Sequence, residues 1–263
     1  MDVFDYIIVG AGSAGCVLAE RLTRCGRFSV LLLEAGAKRR RLWSCVPLGY
    51  GKTFYDRRVN WRDRTAPEPA LHGRDNYWPR GKGLGGSSAI NGMVWMRGLP
   101  VDFDDWARAG NPGWDWAAVA PVFDQIEDLG AGQGAANGRV SVADRSDAYH
   151  GIGQAFLTSA RETQLGRASA QQSHWSEGAA PYRLTTRNGL RDSAADVFLR
   201  PAWRRRNLSV RTDVTVVRIT FDGRRARRVV FQRGGYLCSA EARAGIVLAA
   251  GAVGSPAVLQ RSG

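Results

Sequence analysis

Apolar positions along this chain come in two kinds: short unbroken runs near its two ends, and spaced patterns between them. Residues 5–9 (DYIIV) are an unbroken run of the type found in strands buried on both faces. Residues 13–24 put Val17, Leu18 and Leu22 at helical spacing beside small Ala14 and Ala19, and residues 29–34 (SVLLLE) read as a second buried strand. Strand, glycine turn, helix and strand together predict a βαβ unit. Helical spacing recurs at 102–109, 116–127, 153–163 and 193–203, and a short strand is expected at 139–142, after the glycine-rich stretch 130–138. Residues 208–211, 214–221 and 226–232 alternate as strands, the last two joined as a hairpin by Asp222-Gly223. A final buried run, 246–250, reads as another parallel strand, and a helix or its cap is expected after it. From 35 to about 100 no periodicity holds. That segment is rich in Gly, Pro, Arg and Trp, and irregular stretches of such length are normally functional. The whole pattern predicts an α/β fold.

With 263 residues, 44% hydrophobic and 23% charged, the chain has room for a large domain with a real core, which excludes disorder. The net charge of +13 is almost all arginine, since Lys occurs only at 38, 52 and 82. The densest clusters, 39–41, 204–206 and 224–228, carry no interleaved aromatics and no helix-turn-helix or RNA-binding pattern. They read as solvated surface, without a nucleic-acid partner. Cys16, Cys25, Cys45 and Cys238 form no C-x-x-C or Cys/His cluster, so no metal site and no disulfide framework are expected, and a reducing cytoplasm fits. No run approaches the ~18 apolar residues of a transmembrane segment. The apolar stretch 6–19 lacks the basic leader of a signal peptide and is interrupted by glycines.

Chemistry enters with Gly10-Ala11-Gly12-Ser13-Ala14-Gly15, a G-x-G-x-x-G between predicted strand and helix, followed 19 residues past its third glycine by Glu34. Gly10 permits the tight turn, Gly12 lets backbone approach a pyrophosphate, and Gly15 lets helix and strand pack closely. The helix N-terminus offers N–H groups and a positive dipole end to the phosphates. Glu34 is placed to accept from ribose hydroxyls and to repel a 2′-phosphate, which disfavours NADP. A second run, 81–92 (GKGLGGSSAING), is too glycine-rich for an ordinary strand or helix. It suits backbone laid along an extended cofactor, with Ser87 and Asn91 offering hydrogen bonds. A third small-residue turn, 251–256, follows a predicted strand at its carboxyl end, where ligands bind in open α/β sheets. Three such turns suit a ligand of FAD length better than a single NAD half-site.

These segments resemble the glucose–methanol–choline (GMC) flavoprotein oxidoreductases, and within them the choline-dehydrogenase-like alcohol dehydrogenases. DYIIVGAGSAGCVLAERL with LLLEAG is similar to the family's amino terminus, YWPRGKGLGGSSAINGMVWMRG to its first signature, and GAVGSPAVLQRSG to its second. NWRDRTAPEP, GNPGWDW and RDSAADVFLRPAWRRRNLSVRT fall in the family's order. The resemblance covers essentially the whole chain but only the amino-terminal half of the family's usual length. It implies a Rossmann-like FAD-binding domain (parallel sheet with helices plus a β-meander) with part of a substrate or cap domain, the carboxyl-terminal half being missing. Residues 1–145 and 207–263 would be the two parts of the FAD domain, and 146–206 the start of the cap region.

By position, the resemblance implies FAD pyrophosphate contacts at Gly10, Gly12, Ser13, Ala14 and Gly15, ribose contacts at Glu34 and Ala35, and further contacts at Gly86 and Ser87. Asn91, Gly92, Met93 and Val94 would run beside the isoalloxazine ring, Val216 would meet adenine through its backbone, and Ala250 and Gly251 would line the phosphates. Family members with covalent flavin carry histidine where this chain has Ile90, so non-covalent FAD is implied. The implied activity is oxidation of a primary alcohol, choline-like or aliphatic, to an aldehyde by hydride transfer to flavin N5. A quinone, another electron acceptor or oxygen would reoxidise the flavin. A hydroxynitrile-lyase-type enzyme and a non-catalytic remnant are the alternatives. The family's catalytic histidine lies near the carboxyl end, so the catalytic residue is expected beyond Gly263 and little turnover from this chain alone. His72, His150 and His174 stand in no motif. Gln133-Gly134 stands where the family has His-Gly and Arg206 where it has proline, departures that look structural. The expected location is cytoplasmic, or peripheral at the inner membrane.

Overall fold

The computed structural model describes residues 2–38, 41–130, 138–163 and 179–263. Two compact units divide the chain, one of Met1–Gly92 with Arg191–Gly263 and one of Met93–Leu190. The expected division into FAD-binding and cap regions lay instead at 145 and 206, so the two compact units do not share its boundaries.

The first unit is built on a six-stranded sheet. β1 (Asp2–Val9), α1 (Ser13–Thr23) and β2 (Val30–Leu33) form the βαβ unit, and β3 (Leu208–Arg211), β4 (Val214–Asp222), β5 (Arg225–Arg233) and β6 (Tyr236–Leu248) complete the order β3-β2-β1-β6-β5-β4. β3, β2, β1 and β6 run parallel, while β6, β5 and β4 form an antiparallel meander. The unbroken apolar runs are explained by burial on both faces: Ile7, Ile8 and the whole of β2 are essentially free of solvent. One face, carrying Ile7, Val9, Leu31 and Leu33, packs with Val214, Val216, Ile219, Val229 and Phe231 of the meander and with Val258 of the last helix, Gly251–Gln260. Each such side chain, fully buried, contributes about 2 kcal/mol.

β6 extends well beyond the expected 246–250. Its first part pairs antiparallel with β5 from Tyr236 to Glu241, and from Ala240 onward it pairs parallel with β1. Glu241, Arg243 and Gly245 interrupt the apolar pattern, but pairing of Glu241 and Gly245 with the neighbouring strands carries the strand across the bulge at Arg243. The hairpin loop is Gly223-Arg224, one residue later than expected, because Asp222 pairs with Arg225. Residues 193–203 are helical as expected, with a π turn at Ala195–Leu199 running into Arg200–Ala202. Among the described residues of 35–100 only short pieces form, among them the helical turns Leu42–Cys45 and Tyr50–Thr53.

α1 is tied to the segment ahead of β3 by the fully buried Glu20 carboxylate. It accepts from Arg24 at 2.9 Å and from Arg205 Nη2 at 3.0 Å, and Arg205 Nη1 donates to Thr23 Oγ1 at 2.9 Å. Arg205, expected as solvated surface, is therefore a structural link, and a buried carboxylate left without its partners costs several kcal/mol. Arg39 and Arg40 lie outside the described residues.

In the second unit, helices Pro100–Arg108, Trp116–Ile126 and Gly151–Glu162 match the expected positions to within two residues. Trp95, Phe103, Trp116 and Phe123 form a mutually packed aromatic group. The strand expected at 139–142 is split into Val140–Ser141 and Ala143–Asp144. Gln133-Gly134 and His174 fall outside the described residues. Among the described residues no helix is long and apolar enough to cross a membrane.

Candidate functional site

In the first unit the backbones of the first two glycine turns meet and Ala249-Ala250 close on Gly10, while residues 251–256, expected as a third turn, instead open the last helix, Gly251–Gln260. Gly85 N donates to Ala11 O at 2.8 Å, and Ala249 N to Val9 O at 2.8 Å. Gly10 has φ +99°, and a β-carbon there would stand 2.5 Å from Ala249 O. At Gly86, φ is +52° and a β-carbon would stand 2.7 Å from Gly12 Cα. Both positions need glycine twice over, for the conformation and for the approach. The third glycine of the fingerprint, Gly15, packs as expected: a β-carbon would lie 1.9 Å from Gly10 O.

α1 starts at Gly12 with no side-chain cap and no acid in its first turn, and Ser13 and Ala14 are exposed. The N–H groups of that first turn have no intrahelical acceptor, so this end presents donors and a positive dipole to whatever approaches. This donor set, with no acidic residue in the helix's own first turn, fits a pyrophosphate.

Glu34 is 6% exposed and does more than its sequence position implied. Its Oε2 accepts from Ala11 N at 2.9 Å, and its Oε1 from Gly36 N and Gly83 N, both at 2.8 Å. The carboxylate clamps the first glycine turn, its own turn and the second glycine run together. Burial pushes its pKa above the ordinary carboxylate value, while the three N–H bonds pull the other way. Oε2 takes only one of these bonds, which leaves it acceptor capacity for a hydroxyl. β4 begins at the same place: Val214 N donates to Glu34 O at 3.0 Å. Val216 follows with its side chain in the core, leaving its backbone as the part a ligand can meet.

The remaining expected contacts are placed as follows. Ala250 caps the last helix, with its N–H on Ser255 Oγ at 3.1 Å, and Gly251 is exposed with φ +80° and open space beside it. Ser87 is exposed and accepts from Gly81 N at 3.1 Å. Asn91 and Gly92 are exposed, and Ile90 is buried. Met93, with φ +63°, and Val94 open the second unit. Arg191 was not anticipated; it binds Asn91 and Ser88 from a hundred residues away, and nothing local in its sequence announces that.

A cavity of about 580 Å³ in the first unit is lined by Ala35, Gly36, Gly83, Gly86 and Ile90, and by the cations Lys38, Arg41, Arg58, Lys82 and Arg200. Gly12, Asn91 and Gly251 lie outside it. Lys38 sits over Trp203 and Lys82 over Trp61, at 4.9 and 4.8 Å from the ring centres. The surroundings are electropositive and partly apolar.

His72 is exposed at a left-handed turn, and His150 caps a helix by accepting from Ile152 N at 3.3 Å. Among the described residues no group of His, Cys, Asp or Glu could hold a metal ion. The Cys16 thiol donates to Ala11 O at 3.2 Å, and burial pushes its pKa up to about 12. Cys25 is exposed, and hydrogen bonds from Arg27, the backbone N–H foremost, hold it below the usual thiol value. Iodoacetamide is therefore expected to label Cys25 in the native chain and to reach Cys16 only after denaturation, read by peptide mass spectrometry. Native labelling of Cys16 would show that the first turn opens.

The family described as GMC oxidoreductase matches residues 4–263. An oxygen-dependent choline dehydrogenase of Pectobacterium atrosepticum is 40% identical over 267 residues, covering 99% of this chain and 48% of its own length. Among solved structures, pyridoxine 4-oxidase from Mesorbium loti superposes with a TM-score of 0.92 at 34% identity, over 98% of this chain and 52% of that one. An FAD-dependent oxidoreductase from Chaetomium thermophilum superposes with a TM-score of 0.89 at 27% identity, over 99% of this chain and 47% of that one. The chain spans about half the length of these relatives.

Proposed function

The chain belongs to the GMC oxidoreductase family, and from that premise we propose that it is the FAD-holding portion of an enzyme that oxidises a primary alcohol, choline-like or aliphatic, to an aldehyde. The observation that carries the reading is the meeting of the first two glycine turns and Ala249-Ala250 at the uncapped start of α1. Gly10, Gly12, Ser13, Ala14 and Gly15 are assigned to the pyrophosphate, with Gly86, Ser87, Ala250 and Gly251 beside it. Glu34 and Ala35 are assigned to the ribose and the backbone of Val216 to adenine. Asn91, Gly92, Met93 and Val94 are assigned to the isoalloxazine edge. Bound FAD supplies the hydride acceptor for the oxidation. The cationic cavity beside Ala35 and Gly86 supports a phosphate-bearing ligand. Ile90 offers no nucleophile for a flavin bond, so the cofactor is assigned as dissociable.

Adding FAD is expected to raise the melting temperature, since a ligand at a hundred times its Kd stabilises by about 2.7 kcal/mol. Acid precipitation is then expected to release yellow flavin into the supernatant. An unmoved melting temperature removes the cofactor assignment; flavin left on the polypeptide removes only the non-covalent part. Anaerobic bleaching of the bound flavin by primary alcohols, in this chain or in a longer natural form, tests the substrate class.

A further inference from the structure

The cavity of about 580 Å³ beside Ala35 and Gly86 carries more positive charge than the cofactor reading uses. Five cations line it against two acids, Asp196 and Asp213. Arg58 is already paired with Asp56 at 2.8 Å, and Asp196 accepts from Ser193 Oγ at 2.6 Å. Lys38, Arg41, Lys82 and Arg200 make no ion pair among the described residues. FAD brings its negative charge on the pyrophosphate, assigned to the start of α1, and neither Gly12 nor Ser13 lines the cavity. Of the residues assigned to the cofactor only Ala35 and Gly86 border it. Four positive groups therefore face one space for which the cofactor supplies no counter-charge, an arrangement that draws anions in.

Polarity divides the lining. Ile90 and Leu199, 5% and 1% exposed, form its buried part, whereas Lys38, Arg41 and Arg200 are exposed. The Trp203 ring also lines the cavity and carries Lys38 Nζ 4.9 Å from its centre, and Lys82 Nζ stands 4.8 Å from the centre of Trp61. Cation–π contacts hold both ammonium groups in place without neutralising them. The guanidinium forks of Arg41 and Arg200 match carboxylate or phosphate oxygens in pairs. In size the cavity falls among small-molecule pockets, which run from roughly 300 to 1,000 Å³.

We propose that this cavity is a second ligand site, separate from the FAD cradle, for a small organic anion. Its carboxylate or phosphate head sits among Lys38, Arg41 and Arg200, and its apolar body lies against Ile90, Leu199 and Trp203. A bare inorganic anion leaves the apolar part unfilled, and a neutral ring leaves the guanidinium groups unmet, so each binds more weakly than the two joined. The cations are in place whichever ligand α1 takes, so the site does not rest on the cofactor assignment.

Calorimetric titration of the full chain saturated with FAD is the test. The probes are phenyl phosphate and phenylacetate, with phenol and inorganic phosphate as the neutral and body-free counterparts. At least one organic anion is expected to bind, with both counterparts weaker by about tenfold or more. Arg41→Gln and Arg200→Gln are each expected to weaken that anion about tenfold. Arg224→Gln, which removes the same charge from the loop between β4 and β5, leaves its affinity unchanged. All three arginines are exposed and without an ion pair among the described residues, so wild-type melting temperatures are expected. Should Arg41→Gln or Arg200→Gln fail to fold, the other decides. Binding of neither organic anion overturns the proposal. So does a counterpart that binds as tightly, or Arg224→Gln weakening the anion as much as the cavity variants do. Displacement of FAD by the anion also overturns it, because the cavity then belongs to the cofactor's own site. A chain that binds no FAD loses the cofactor assignment alone; it is titrated without FAD, and the same affinities decide the second site.

Discussion

Replacing Gly10 with alanine is expected to lower the unfolding free energy by about 4 kcal/mol, against about 1 kcal/mol for the same change at Gly26. Both glycines have positive φ, +99° at Gly10 and +72° at Gly26, so both variants carry the conformational strain of a side chain in that region. Only Gly10 carries a second cost. Its new β-carbon would meet Ala249 O at 2.5 Å, Ala249 C at 2.8 Å and Ala250 Cα at 2.9 Å, whereas at Gly26 nothing lies within 4 Å. All three atoms belong to backbone that cannot retreat cheaply. Ala249 N is bonded to Val9 O, and the ladder pairing Val9 with Leu248 holds β6 against β1 just before it. Displacing packed backbone adds about 1–3 kcal/mol to the strain, a large share of the roughly 5–15 kcal/mol that holds a domain folded. Urea denaturation of the two variants measures the difference directly. Equal losses would mean that the first turn and Ala249-Ala250 do not touch, and the proposed cofactor cradle would go with that contact.

How far the sequence foretold this arrangement depends on the kind of information each residue carries. Burial on both faces leaves a local mark, so β1 and β2 were legible in unbroken runs, and the glycine spacing announced a turn that only small residues can make. The first half of β6 left no such mark. Glu241, Arg243 and Gly245 break the apolar pattern; pairing of Glu241 with β5 and β1 and of Gly245 with β1 holds the strand across the bulge at Arg243, which periodicity does not report. Partner choice over long separations is equally silent. Arg205 reads as one of three consecutive arginines, yet it closes on Glu20, 185 residues earlier. Arg191 reads as part of a family motif, and its contact with Asn91 emerges only when the first and last stretches of the chain fold into one unit. Glu34 was visible as an acid at the right distance from the fingerprint. Its bonds to Ala11 and Gly83 were not, because they depend on two loops arriving beside it.

That clamp sets the other large expected effect. Glu34→Ala strips the acceptor from Ala11 N, Gly36 N and Gly83 N at once. A buried donor left without a partner costs about 1–3 kcal/mol. Even if water reaches one of the three through the neighbouring cavity, the loss is about 2 kcal/mol or more. The effect also has a pH dependence with a definite sign. Burial outweighs the three donors and holds the folded carboxyl above its ordinary value of 4.5. Between that value and the folded pKa the native state binds the proton more tightly than the unfolded chain does, so this group's contribution is complete below pH 4.5 and declines as pH rises through the folded pKa. The stability gap between wild type and Glu34→Ala, followed by urea midpoints across a pH series, is accordingly expected to narrow with rising pH without closing. What remains at high pH is the cost of the orphaned N–H groups, which do not titrate. A gap that vanishes at neutral pH would show that the three N–H groups find other partners, and that Glu34 serves a ligand rather than the loops.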